Sequence, residues 1–167
     1  MIITVDDIRK YRQVAANISA DRVDVYIKET ERLDILPVIG ADEYLRLISS
    51  GIDLNDDEKL LLDGGEWVDA CGTKHLLSGL KAAEAYLAYS RFIRDHLTQV
   101  TPYGVVVKEG DYSQPASVQA VAAKAQEAQK IGRQYLNDCA DYWRKVTDGK
   151  EGDRRKSTRL HILSIGD

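Results

Sequence analysis

A mainly helical fold, about five to six helices around one central helix with minor β structure at the edges, is what this sequence predicts. Two stretches carry that prediction. The first is GLKAAEAYLAYSRFIRDHL, residues 79–97. Leu80, Ala83, Leu87, Ser90 and Leu97 share one helical face, and Ala82, Ala85, Tyr86, Tyr89, Phe92 and Ile93 fill the next. A helix apolar over most of its circumference is one that other elements surround. The second runs from Ser117 to about Val146. Val118, Ala125, Gly132, Cys139 and Val146 recur every seven residues, with Val121, Ala128, Tyr135 and Tyr142 between them. Ala125, Ala128 and Gly132 are too small for a dimeric coiled-coil seam. They fit close packing against the Ala-rich central helix of the same chain.

The elements before the central helix follow from caps and stops. Thr4 caps a first helix, with Asp6 and Asp7 in its first turn and Val5, Ile8, Tyr11, Ala15 and Ile18 as its stripe. Ser19 caps a second, with Val23, Tyr26, Ile27, Thr30 and Leu33 inward and Glu29, Glu31, Arg32 and Asp34 solvated. Pro37 disfavours helix at Leu36 and ends this helix by about Ile35. Gly40 opens a third over 41–48, with Tyr44, Leu45 and Ile48 inward, and Ser49-Ser50-Gly51 stops it. Asn55 and Glu58 form a capping box for a fourth, short helix that Gly64-Gly65 ends. Residues 66–77 lack a helical stripe. They read as a hairpin turning at Gly72-Thr73, the competing reading being a continuous entry into the central helix.

Beyond the central helix, Thr101-Pro102-Tyr103-Gly104 is a break, and Val105, Val106 and Val107 favour an extended segment. EGDYSQPAS reads as an exposed loop. The expected organisation is a single helical domain over 1–147 and a charged C-terminal arm over 148–167. Within the arm, KEGDRRKSTR is a mobile linker and LHILSI a short strand, which either folds back on Val105–Val107 or adds to a sheet of a neighbouring subunit.

Composition narrows the function classes. A net charge of −4 argues against general affinity for nucleic acid. Two cysteines form no disulfide framework, so a reducing compartment is the default. MIITVDDIRKYR has no basic region followed by an apolar run, and no apolar stretch is long enough to span a membrane. The expectation is a cytoplasmic protein without membrane contact.

Catalytic patterns are weak. Asp53, Asn55 and Asp57 have the spacing that opens a calcium loop, but Glu58 stands where Gly is needed and Gly64 where the bidentate Glu is needed. His75, His96 and His161 pair with no His or Cys at a metal-ligand spacing, and His96 suits the C-terminal end of a helix dipole. Cys139 fits the apolar seam. There is no Walker motif, dinucleotide fingerprint or nucleophile elbow. Neither an enzyme nor a cofactor or metal site is expected. The clustering of Trp67, Cys71 and His75 leaves a small ligand-binding protein as one alternative. Arg154, Arg155, Lys156 and Arg159 form the one basic cluster and leave a DNA-binding accessory protein as another.

Several segments together carry a resemblance: YIKETERLDILPVIGADEY, LLDGG followed by EWVDACG, GLKAAEAYLAYSRFI, and TPYGVVVKEGDYSQP before the long helix. This arrangement resembles a family of uncharacterised proteins from phages and prophages of Bacteroidota. In organisation it is similar to the small helical head–tail connector (adaptor) proteins of tailed phages. The resemblance implies a non-enzymatic structural protein that assembles as a homo-oligomeric ring beneath the portal. Its place would be the virion neck, after assembly in the host cytoplasm. It implies portal and tail or neck proteins as partners, and DNA that passes through without sequence-specific binding. Contacts would fall on the loop, at Lys108, Asp111 and Tyr112, and on the arm, at Arg154, Arg155, Lys156 and Arg159.

Overall fold

The computed structural model describes residues 1–14, 18–49, 53–96, 98–101, 104–107 and 117–159; for 96, 98–101, 104–107 and 148–159 it describes the backbone alone. The chain is mainly helical with small antiparallel hairpins, as the apolar periodicity predicts. In order it forms α1 (Val5–Tyr11), α2 (Ala20–Thr30), a π-helical segment (Glu31–Ile35), α3 (Leu36–Ile39), α4 (Ala41–Ile48) and α5 (Asp56–Asp63). The hairpin β1 (Gly65–Val68) and β2 (Lys74–Leu77) precedes α6 (Leu80–His96). A second hairpin, β3 (Thr98–Thr101) and β4 (Gly104–Val107), precedes α7 (Val118–Arg159).

The first helix is shorter than its stripe predicts. Asp7 accepts the Thr4 N–H at 2.9 Å and starts α1. Arg12 turns extended and stops it, so Ile18 packs on the core from outside the helix and Ala15 lies outside the described residues. Pro37 does not end the second helix. The Leu36 N–H reaches back five residues to the Glu31 carbonyl, and the helix passes through Pro37 to Gly40, whose φ of 86° ends it. A π turn adds one residue to a turn and rotates all that follows. Leu33 is consequently 62% exposed while Ile35 is fully buried. Two acids expected in solvent are engaged instead, because Glu31 and Asp34 lie one helical turn past the buried Ile27 and Thr30. Glu31 is buried and accepts the Ile2 N–H at 2.7 Å. Asp34 accepts from Arg91 of α6 at 2.6 Å. On α4 the buried residue is Leu47, and Leu45 faces solvent.

The capping box that opens α5 is present. Asn55 Oδ1 accepts the Glu58 N–H at 2.9 Å and Glu58 Oε2 accepts the Asn55 N–H at 2.7 Å. Glu58 also binds Arg46 of α4. Cys139 is buried in the seam, and burial raises its thiol to about 12.

The close approach of α6 and α7 organises the interior. The helices run antiparallel: Ser90 Oγ donates to the Ala125 carbonyl at 2.9 Å, and earlier on α6 Tyr86 meets Tyr135, later on α7, at 5.6 Å. A Cβ on Gly132 would stand 2.7 Å from Leu87 Cγ and 3.1 Å from the Ala83 carbonyl. The small seam residues are therefore a steric requirement. Two apolar clusters meet across this pair. One holds Ile35, Leu61, Leu77, Leu80, Leu87, Leu136, Cys139 and Tyr142. The other joins Ile3, Ile8, Val23, Ile27, Ala88, Tyr89, Phe92 and Ala128.

Two ends of the expected layout differ. The partner of β4 is β3, with Val100 opposite Val105, where a C-terminal strand was one expectation. The helix α7 continues through Gly149 and Gly152 to Arg159, where the charged composition predicted a linker from 148 onward. Glycine weakens a helix by about 1 kcal/mol but does not forbid it. The loop expected around 108–115 and the strand at 160–165 lie outside the described residues.

Glu84 is the one discordant residue of α6. It is 0% exposed and neither carboxylate oxygen has a hydrogen-bond partner. Burial drives its pKa well up, and the nearby Glu31 adds to this. Below the ordinary carboxylate range the group is neutral in both states and has no effect. As pH rises past that range the unfolded chain ionises while the buried group resists, so stability falls.

Two outcomes follow for stability. Gly132→Ala should lower the urea-derived unfolding free energy by roughly 1–2 kcal/mol, overpacking outweighing a helix-propensity gain of about 1 kcal/mol. Glu84→Gln should reduce the loss of stability that the wild type shows as pH rises above the ordinary carboxylate range, as followed by circular dichroism melts. An identical pH slope in the two proteins would refute the assignment to Glu84.

Candidate interaction site

The site is built where the hairpin β1–β2 leaves α5 and meets α7. Its base depends on two glycines. Gly64 has φ 80° and Gly79 has φ 85°. A Cβ on Gly64 would stand 2.5 Å from the Leu77 carbonyl, and one on Gly79 would stand 2.6 Å from the Gly64 nitrogen. Both the backbone conformation and the spacing therefore require glycine. The register pairs Gly65 with Leu77 and Trp67 with His75. This is the hairpin that the sequence predicts over 66–77.

Asp69 holds the turn. Its Oδ1 accepts the N–H groups of Cys71 and Thr73, each at 2.9 Å. Its Oδ2 lies 3.0 Å from His75 Nε2. These contacts, His75 foremost and the Thr73 N–H next, hold the Asp69 carboxyl down to about 2. Its contribution to the turn is present above the ordinary carboxylate range and lost as pH falls through about 2.

Fixed in this way, the His75 ring stacks on Trp67 at 4.5 Å with 20° between planes. From α7, Tyr142 meets Trp67 edge-on at 5.1 Å and Lys145 Nζ lies 5.0 Å from the indole centre. The Tyr142 hydroxyl donates to Asp57 Oδ1 at 3.2 Å, tying α7 to the first turn of α5. Burial, and then Asp57, raise the Tyr142 pKa. Beside this stack lies a groove of about 580 Å³. Leu60, Trp67, Val68 and Val146 give it apolar walls, and Asp57, Asp69 and Lys145 give it charges of both signs.

Of the residues singled out by sequence, the structure brings Trp67, Cys71 and His75 together on this hairpin, and Cys71 is exposed on the groove. It places Arg154, Arg155, Lys156 and Arg159 in the last turns of α7, with Arg155 and Arg159 one turn apart. Lys108, Asp111 and Tyr112 lie outside the described residues. Tyr142 and Lys145 were missed as site residues, because the sequence pattern assigns the one to the seam and says nothing of the other. Among the described residues, no group of three or more His, Cys, Asp or Glu side chains is placed to hold a metal ion. Among them, too, no helix is long and apolar enough to cross a membrane.

A family of unknown function, DUF6712, matches residues 35–149. That span runs from the end of the π-helical segment through the groove and most of α7, and covers more than half of the chain. Neither the curated proteins nor the solved structures contain a match.

Asp69→Ala removes the acceptor for two backbone N–H groups and frees His75 from its partner. Trp emission should shift to the red, and the shift should disappear in a Trp67→Phe background. Emission unchanged by Asp69→Ala would mean that the turn does not hold the indole in place.

Proposed function

We propose that this chain, which belongs to the DUF6712 family of unknown function, is a non-enzymatic assembly protein of the head–tail connector type. In this reading it forms a ring in the neck of a tailed phage, below the portal, with tail or neck proteins on the other side. DNA passes through the ring without sequence-specific binding, which an acidic chain of net charge −4 favours.

The observation that carries the reading is the length of α7. It has 42 residues against 17 in α6, about 63 Å against about 26 Å at 1.5 Å per residue. The described side chains of α7 that pack on the body end near Trp143 and Val146. The backbone then continues as helix for a further 13 residues, about 20 Å, through the basic cluster. A subunit that must reach a neighbour has a use for such a rod. The quoted resemblance to connector proteins supports the same role, with contacts on the arm and on the loop that holds Lys108, Asp111 and Tyr112.

The groove beside Trp67 favours a second reading, a small ligand-binding protein, because a concave surface does lie where Trp, Cys and His cluster.

Electron microscopy of the protein mixed with the portal from the same genome tests the first reading. Added ring density below the portal is expected. A protein that stays monomeric at high concentration and binds neither portal nor neck proteins would overturn it.

A further inference from the structure

We propose that the groove beside β1 receives residues 160–165 of a second copy of this chain, laid against the β1–β2 hairpin as an added strand. The inference deepens the assembly reading by supplying its subunit-to-subunit contact.

The receiving surface has the features that strand addition needs. Among the described residues the sheet has two strands, so β1 and β2 each keep one edge without a strand neighbour there. Such an edge is a template for a further strand. The hairpin also leaves apolar side chains in water: Val68 is 58% exposed and Leu76 78%. Val68 lies on the groove, whose other apolar walls are Leu60, Trp67 and Val146. A groove with apolar walls and charges beside a strand edge fits an extended peptide whose side chains alternate between the two faces.

The occupant is argued from the sequence and from reach. LHILSI, residues 160–165, is the most apolar of the segments outside the described residues. In either strand register it sets two apolar side chains on one face, counting Leu160 with Ile162 and Leu163 with Ile165. Charge agrees. Arg154, Arg155, Lys156 and Arg159 lead into the segment. Asp57 and Asp69 line the groove, two carboxylates against the one ammonium of Lys145.

Reach decides between the same chain and another. From Lys145 at the groove, α7 carries the backbone about 21 Å further to Arg159. Six extended residues span about 20–22 Å at most. Residues 160–165 of the same chain would spend their whole length returning and have none left to lie along the hairpin. A neighbouring copy has no such constraint.

The test mixes two full-length variants. Ile162→Asp with Leu163→Asp spoils the donor in either register and leaves the groove intact. Val68→Asp spoils the groove and leaves the donor intact. Sedimentation velocity over a concentration series should show self-association of the wild type and at least about tenfold weaker association of each variant. Circular dichroism should show helix content unchanged. An equal mixture of the two variants should form a two-chain species and nothing larger, because one intact donor meets one intact groove. A monomeric wild type, variants that associate as the wild type does, or a mixture that stays monomeric would each overturn the exchange. Portal binding is read separately. Exchange without portal binding overturns the connector role alone, and portal-bound rings of the donor variant overturn the exchange alone.

Discussion

The approach of α6 to α7 at Gly132 is the constraint on which the rest of the fold depends. No side chain fits between Gly132 and the Leu87 branch, so the two helix axes are held closer than ordinary apolar residues allow. At that distance Ser90 can reach the Ala125 carbonyl, and Ala125, Ala128 and Cys139 are fully buried. Everything else is attached to this pair. α1 and α2 cover one side of α6 through Ile8, Val23 and Ile27, while α5 and the first hairpin cover the other through Leu61 and Leu77. The groove inherits its geometry from the same contact, since Tyr142 and Lys145 come from α7 and Trp67 and His75 from the hairpin next to α6.

The parts of the fold that were legible in the sequence are those set by period and by local caps. The apolar circumference of residues 79–97, the seven-residue seam and the Asn55–Glu58 box are written in neighbouring residues and survive into the structure. The parts that were not legible depend on a shift of register. A proline normally marks a helix end, but here a five-residue reach of the Leu36 N–H carries the helix past Pro37 and exchanges Ile35 for Leu33 in the core. No composition rule anticipates that exchange. Glu31 and Asp34 were misread because they continue the face of Ile27 and Thr30 at a spacing of four, where they meet the Ile2 N–H and Arg91. The strand β3 was hidden because Thr98–Thr101 has little apolar content and is specified by its partner β4.

The candidate site was half legible. Trp67, Cys71 and His75 stand close together in sequence, so their region was visible. Their completion by Asp57 and by Tyr142 and Lys145 was not, since α7 arrives from some 75 residues away along the chain. Tyr142 shows why. One side chain serves both as a seam residue and as the edge-on neighbour of Trp67, and its hydroxyl fixes α5 through Asp57. A sequence pattern assigns a residue one role, while packing lets it hold three elements.

That α7 lines the groove and also leads into the segment proposed to fill a neighbour's groove has a geometric consequence. The groove and Arg159, where the proposed donor segment begins, are joined by one helix, so their separation within a subunit is set by that helix. Where each subunit gives to one neighbour and receives from another, the contact would be heterologous and head-to-tail, whereas reciprocal exchange between two copies would close a dimer. Repeated head-to-tail contacts close into a ring when the rotation per step divides a full turn, and otherwise grow into an open filament. The rigidity that α6 imposes on α7 would therefore set the step angle. A flexible linker in the same place would leave the angle unspecified. The close packing at Gly132 would then bear on the proposed assembly as well as on stability, because it fixes the root of the helix that the exchange would extend.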